Sequence, residues 1–352
     1  SAGHASAMLY SVLHLCGYNI TKEDLASFRQ LRRKLPAHPE YGLTPGVETS
    51  TGPLGQGVGN AVGFALAEKV LAAKFNKSDI KLVDHYTYAF CGDGCMMEGL
   101  SYEACALAGA WGLDKLIVIY DKNNITIEGG IDGVFDEDVG ARFAAQGWQV
   151  INAGDGNDTD TFGAAIALAK SDKKRPSLII VNTVIGYGTS KANSPSCHGA
   201  PLGEDCIKEM KAAMGWTLPP FSVPKETEAY TAEVCERGAK AEAEWNKTLR
   251  AYKSKYPEDY AEFIAWTKGK IPDLTNDEEF WKNVPTGDAA TRAHSGKILN
   301  WIADNRIPNL IGGSADLGPS NCTVMNSREY YSPSTPTGTS LHFGVRELAM
   351  AS

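Results

Sequence analysis

Apolar positions along the chain follow two rhythms. Four short runs, Tyr86–Phe90, Leu116–Tyr120, Gly147–Ile151 and Ser177–Ile185, are dense in β-branched and aromatic residues and predict strands, the first, second and fourth of them buried. Around them apolar residues recur at helical spacing. Ala5, Met8, Leu9, Val12 and Leu13 share one side of 5–15; Met97, Leu100, Ala104, Leu107 and Trp111 share another; Phe162 to Lys170 forms a further helix. Val58 to Phe75 is apolar nearly all round and rich in small residues, the pattern of a deeply buried helix or a subunit contact. Thr21 with Asp24 marks a helix start. The alternation predicts an α/β fold, a parallel sheet flanked by helices.

The pattern changes at Gly215. Pro219, Pro220 and Pro224 precede charged helical sequence to about Lys268, and Pro272, Thr275 and Pro285 punctuate a polar stretch. Ala293, Ile298 and Trp301 then mark a helix and Asn309–Gly313 a short strand. We therefore expect a first domain over 1–268 with a helical extension from about 215, a linker over 269–288, and a truncated second α/β domain over 289–352. Ser1-Ala2-Gly3-His4 shows no initiating Met and no signal pattern, and Arg346–Ser352 stops inside an apparent helix. A part of a longer chain is expected, inactive alone and prone to associate through exposed apolar surface.

Composition narrows the function. At 352 residues with 43% hydrophobic content, two domains with sizeable cores are possible. The net charge of −8 and the absence of a basic block argue against nucleic acid. No apolar run is long enough for a bilayer. Eight scattered cysteines imply reduced thiols, and Cys91 and Cys95 are read as packing residues because no His or Cys pair completes a zinc set. A cytoplasmic setting is expected, with an organelle left open.

Chemistry concentrates in 86–125. The first strand runs straight into Gly92-Asp93-Gly94, and the second ends in Asp121-Lys122-Asn123-Asn124. Ligands of open parallel sheets bind at such strand tips. Two glycines let the backbone approach an anion, a helix N-terminus favours negative charge, and Asp93 offers a hard oxygen to a divalent cation. A bare Gly-Asp-Gly is more often a simple turn. A second copy, Gly154-Asp155-Gly156, is read as that: a polar loop away from any strand end, with Asn182 inside an apolar strand. Gly55, Gly57 and Gly59 form a G-x-G-x-G pattern, but no strand feeds it, so a dinucleotide fingerprint is rejected.

The spacing of about thirty residues from Asp93 to Asn123 resembles the thiamine diphosphate motif. Together with Gly3-His4-Ala5, Pro36 to Glu40, Thr51 to Gly57, Gly92 to Glu98, Ile125 to Ile127, His198 to Pro201, Gly312 to Leu317 and Arg346 to Met350, it gives the chain a resemblance to the transketolase family along its whole length. The resemblance implies a thiamine diphosphate-binding fold followed by the start of a pyrimidine-binding domain. It implies transfer of a two-carbon ketol unit, held on the cofactor as a delocalised carbanion, from a ketose phosphate such as xylulose 5-phosphate to an aldose phosphate such as ribose 5-phosphate, in the pentose phosphate pathway or Calvin cycle. A dihydroxyacetone synthase-type transferase and a non-catalytic, dimer-forming cofactor module remain alternatives.

Carried over position by position, the resemblance implies that Asp93, the Asn123 side chain and the Ile125 carbonyl ligate Mg2+ or Ca2+. His4, His198 and the Gly94 amide would hold the diphosphate, and Gly52, Pro53 and Leu54 would contact the aminopyrimidine. His38 and His198 would bond substrate hydroxyls; Arg292 and Ser320 would bind the sugar phosphate; Asp316 would lie near the thiazolium. Glu347 would set the protonation of the pyrimidine N1′, a task served by a raised pKa in a buried apolar setting. The family's two cofactor ends bind to different subunits, which implies a homodimer with sites at the subunit interface. Glu98 and Glu103 would join a dimer-interface carboxylate network. The chain departs from the family's usual residues at Ala2, Ala37 and Leu348 and keeps the implied metal and diphosphate ligands.

Overall fold

In the computed structural model, which describes residues 1–269 and 272–352, the four apolar runs lie side by side as parallel strands. They are β1 (Thr87–Gly92), β2 (Leu116–Lys122), β3 (Gln149–Asp155) and β4 (Ser177–Asn182), in the order β1-β2-β4-β3. Parallel pairing brings all four C-terminal ends to one edge. Gly92 is level with Asp121, Lys122 with Asn182, and Asp155 with Asn182. The central strands β2 and β4 read as nearly unbroken Leu, Ile and Val because each needs apolar cover on both faces. One face packs Ile117, Ile119, Ile151, Ile179 and Val181 on Ala165 and Ala169 of the helix Thr159–Ser171. Burying each branched side chain contributes about 1.5–3 kcal/mol, so this seam anchors the strand tips.

The chain divides into two compact units, Ser1–Gly63 with Tyr86–Glu242, and Phe64–His85 with Ala243–Ser352. The sheet belongs to the first. The second contains a core of Phe75, Leu82, Val83, Tyr252 and Phe263, with the Tyr252 hydroxyl donating to the Phe75 carbonyl at 2.7 Å. It also contains the parallel pair β5 (Gly312–Ser314) and β6 (Ser340–His342). Within the stretch expected as a linker, Glu278–Asn283 is helical, capped by Asp277, which Arg306 also grips at 2.5 Å. Residues 270 and 271 of that stretch lie outside the described residues. No helix among the described residues is long and apolar enough to cross a membrane.

Several local expectations need correction. The helix after Gly92-Asp93-Gly94 is broken: Asp93–Met97 ends where Glu98 turns extended (ψ 130°), and Gly99–Ala110 starts afresh. The break shifts the helical phase, so Met96 is fully buried and Met97 is not, while Leu100, Ala104, Leu107 and Trp111 are buried as expected. The helix Gln56–Phe75 leaves Gly63, Phe64 and Ala67 exposed in the single chain, so of the two settings expected for it, complete burial within the chain does not hold. In the helix Ser6–Leu15, Tyr10 and Leu13 pack on Ile20, Leu35 and Val47, and Met8, Leu9 and Val12 stay exposed. The Tyr10 hydroxyl finds the Pro36 carbonyl at 3.0 Å, which lets a polar-tipped residue take the inner face. The Thr21/Asp24 start is present as a reciprocal capping box. Lastly, the second Gly-Asp-Gly also stands at a strand end: β3 finishes at Asp155 and β4 at its register partner Asn182.

Candidate active site

The two strand-end aspartates differ in what surrounds them. Asp155 is exposed and accepts from the backbone and side-chain nitrogens of its own neighbour Asn157, both at 3.0 Å, a local turn. Asp93 is 2% exposed. Its Oδ1 accepts from the Tyr120 hydroxyl at 2.6 Å, and its Oδ2 accepts from the backbone amides of Asn123 at 3.2 Å and Asn124 at 2.9 Å. Asn124 has a left-handed backbone (φ 59°), which a short polar residue tolerates and which aims successive N–H groups at one anion. Among the described residues no cationic side chain pairs with this buried carboxylate, which is held by one phenol and two amides. Burial and the adjacent carboxylate push the Tyr120 hydroxyl pKa well up, and burial raises the Asp121 carboxyl, which the Thr183 hydroxyl holds.

Beyond β2 the loop supplies two more oxygens. Asn123 Oδ1 accepts from the Ile125 amide at 3.0 Å and keeps a second lone pair. Ile125 faces Gly130 across an antiparallel bridge whose bonds run from Thr126 to Gly129 and from Ile131 to Asn124. The Ile125 carbonyl is not used by that ladder. One carboxylate, one amide oxygen and one main-chain carbonyl thus belong to a single turn and the strand beside it. An all-oxygen set of this kind suits a hard divalent cation. Among the described residues, no cluster of three His, Cys, Asp or Glu side chains is placed to hold a metal.

A second group lies next to the first. The Gly94 Cα faces Leu54, whose Cδ1 would stand 2.7 Å from any added Cβ. Two residues before Leu54, an added Cβ on Gly52 would run into the His38 ring. Gly3 packs on the Gly52 backbone, where a Cβ would meet the Gly52 Cα at 2.7 Å, and this close approach sets His4 beside the same turn. The His4 and His198 rings are 4.5 Å apart. His198 Nδ1 is buried with no hydrogen-bond partner among the described residues, and such orphaned groups call for a ligand or water. Desolvation lowers both histidine pKa values, and the neighbouring His198 and His38 lower that of His4 further, which favours the neutral rings. Leu54 is half-buried and Pro53 exposed. An anion placed here would meet the amides of the Asp93–Met97 turn. That helix has five residues, too few for a full macrodipole, so the expected dipole contribution reduces to its free N–H groups.

The remaining candidates lie in the second unit. Asp316, with left-handed backbone (φ 62°), accepts from His342 Nε2 at 3.3 Å in a cavity of about 350 Å3 lined also by Gly313, Ser314, Tyr330 and Ser340. Glu347 opens the helix Glu347–Ala351 beside β5 and is exposed, so its own unit does not supply the buried setting expected for it. Arg292 and Ser320 are both exposed, on the packed helices Thr291–Asn305 and Gly318–Asn321. Glu98 is exposed. Sequence reasoning missed Tyr120 and Asn124 as holders of Asp93, and His342 as the partner of Asp316. A tyrosine at the buried end of a strand was the available signal, because its hydroxyl must find a partner.

Known proteins resemble this chain in sequence and fold. Residues 1–272 match the family described as transketolase, thiamine diphosphate binding domain. The chain is 47% identical over 358 residues to transketolase 1 of Vibrio cholerae, covering 99% of this chain and 53% of that protein. It is 47% identical over 355 residues to transketolase 2 of Escherichia coli, with the same coverage. Among solved structures, transketolase from Leishmania mexicana superposes with a TM-score of 0.94 at 42% identity, over 99% of this chain and 52% of that one. Transketolase from Campylobacter jejuni superposes at 0.87 and 44% identity, over 100% and 52%. The chain spans about half the length of the curated relatives it matches.

Proposed function

The chain belongs to the transketolase family, and from that premise we propose that its first unit captures thiamine diphosphate with a divalent cation, for transfer of a two-carbon ketol unit from a ketose phosphate to an aldose phosphate. The observation that carries this reading is the buried Asp93 carboxylate, presented at the tip of β1 by Tyr120, Asn123 and Asn124. Asp93, Asn123 and Ile125 would hold Mg2+ or Ca2+ through three oxygens. The Gly94 amide with His4 and His198 would hold the diphosphate, and Gly52, Pro53 and Leu54 would line the aminopyrimidine. When bound, the cofactor supplies the electron sink for breaking and re-forming the carbon–carbon bond beside a carbonyl.

The chain's own groups have the other tasks. His38 and His198, the latter with its vacant buried nitrogen, bond the hydroxyls of the sugar. Arg292 offers a planar two-pronged donor to a sugar phosphate, with Ser320 as a second donor. Asp316 stands by the donor hydroxyl, and Glu347 shares a proton with N1′ of the aminopyrimidine. In a homodimer Glu347 would serve the partner's cofactor, which would give that exposed carboxylate its cover. The family's sugar-phosphate chemistry belongs to proteins about twice this length, so cofactor capture is the property to seek first.

Calorimetric titration of the protein with thiamine diphosphate in MgCl2 tests the reading. Binding is expected to require the cation, and Asp93→Ala is expected to weaken it at least about 100-fold, near 2.7 kcal/mol. Equal affinity in EDTA, or in the Asp93→Ala protein, would contradict it.

A further inference from the structure

We propose that the Tyr120 hydroxyl is a positioning group that makes the Asp93 site prefer Mg2+ to Ca2+, an inference that rests on the cofactor reading above. Tyr120 is 1% exposed and Asp93 2%, and the phenol oxygen lies 2.6 Å from Asp93 Oδ1. An ionised carboxylate only accepts, so the hydroxyl donates. The other oxygen, Oδ2, is tied separately to the Asn123 and Asn124 amides. Each oxygen of the carboxylate therefore has its own tether, and turning the group about its Cβ–Cγ bond breaks at least one of them. The tethers come from two elements: the phenol from inside β2, the amides from the turn that follows it.

A carboxylate that cannot swivel discriminates between cations. Mg2+ demands near-ideal octahedral geometry with short bonds, whereas Ca2+ accepts six to eight oxygens and takes carboxylates with one oxygen or both. Fixed orientation favours the strict ion and costs the tolerant one the freedom it exploits. Loss of the Tyr120 hydroxyl frees Oδ1 and removes that bias. Groups that orient a metal ligand commonly change affinity about 10–100-fold when lost. A hydrogen bond that served only to satisfy a buried tyrosine would weaken both cations alike, through general loosening of the strand end.

The test is titration of MgCl2, and separately CaCl2, into the protein with saturating thiamine diphosphate, for unsubstituted protein and Tyr120→Phe. The Mg2+ Kd is expected to rise about 10-fold or more and the Ca2+ Kd less than about 3-fold. Tyr102→Phe, which removes a tyrosine–carboxylate bond to Glu137 elsewhere in the unit, is expected to leave the ratio unchanged. Asn124→Ala strains the turn that holds Oδ2 and is expected to shift the ratio in the same direction; it serves if Tyr120→Phe does not fold. Thermal melting without ligand reads any loss of fold separately. An unchanged Mg2+/Ca2+ ratio in folded Tyr120→Phe overturns this inference alone. Absence of cation-dependent cofactor binding in the unsubstituted protein overturns the cofactor reading and this inference with it.

Discussion

His4, His38 and His198 show how much a residue's role depends on its neighbours. The His4 and His198 pKa values are depressed, first by desolvation, so the folded chain favours the neutral rings. The sign follows from linkage. The unfolded state binds more protons between the lowered folded values and the ordinary 6.5, so the stability these rings contribute is fully present above 6.5 and is lost as pH falls through the folded values. A diphosphate at these rings would reverse the bias, because an anion favours imidazolium. Net proton uptake on binding thiamine diphosphate is therefore expected at about pH 6.5, measured by calorimetry in two buffers of different ionisation enthalpy. His4→Gln should reduce it; zero uptake, or release, would count against the diphosphate placement. At this scale the strand-end positions of Asp93 and Asn123 were legible. Tyr120 and Asn124 were not, because a buried hydrogen bond and a left-handed backbone leave no periodic trace.

Among elements, the four sheet strands were legible because continuous apolar runs have few other homes in a chain of this pattern. Their ends were less so. Gly154 and Asp155 break the apolar run, yet β3 continues through them with a register shift next to β4. The break at Glu98 was hidden because helical periodicity survives on both sides of it. The close approach of Gly3 to Gly52 belongs to this scale, since it packs two turns backbone to backbone. A Cβ at Gly3 would strike main-chain atoms that cannot rotate away. Gly3→Ala is expected to cost about 1–3 kcal/mol of stability and to weaken cofactor binding, read by denaturant unfolding and titration. Gly94→Ala meets only the flexible end of Leu54 and should cost less. Equal costs would mean that the contact of the two turns does not matter.

For the whole molecule, the motifs read in order along the sequence agree with the family match over residues 1–272 and with relatives aligned over 99% of the chain. The outlying groups Arg292, Asp316, Ser320 and Glu347 lie in the second unit. Under the proposed function, Glu347→Ala in a full-length protein that carries this chain is expected to lower transfer from xylulose 5-phosphate to ribose 5-phosphate at least about 100-fold, near 2.7 kcal/mol, while cofactor binding is largely kept. Undiminished transfer would remove Glu347 from the mechanism. The most direct measurement is anomalous diffraction from crystals grown with thiamine diphosphate and CaCl2. The account predicts one calcium peak at the tip of β1, with Asp93, the Asn123 side-chain oxygen and the Ile125 carbonyl at about 2.3–2.6 Å. A calcium site that excludes Asp93, or a cofactor bound with no cation there, would contradict it.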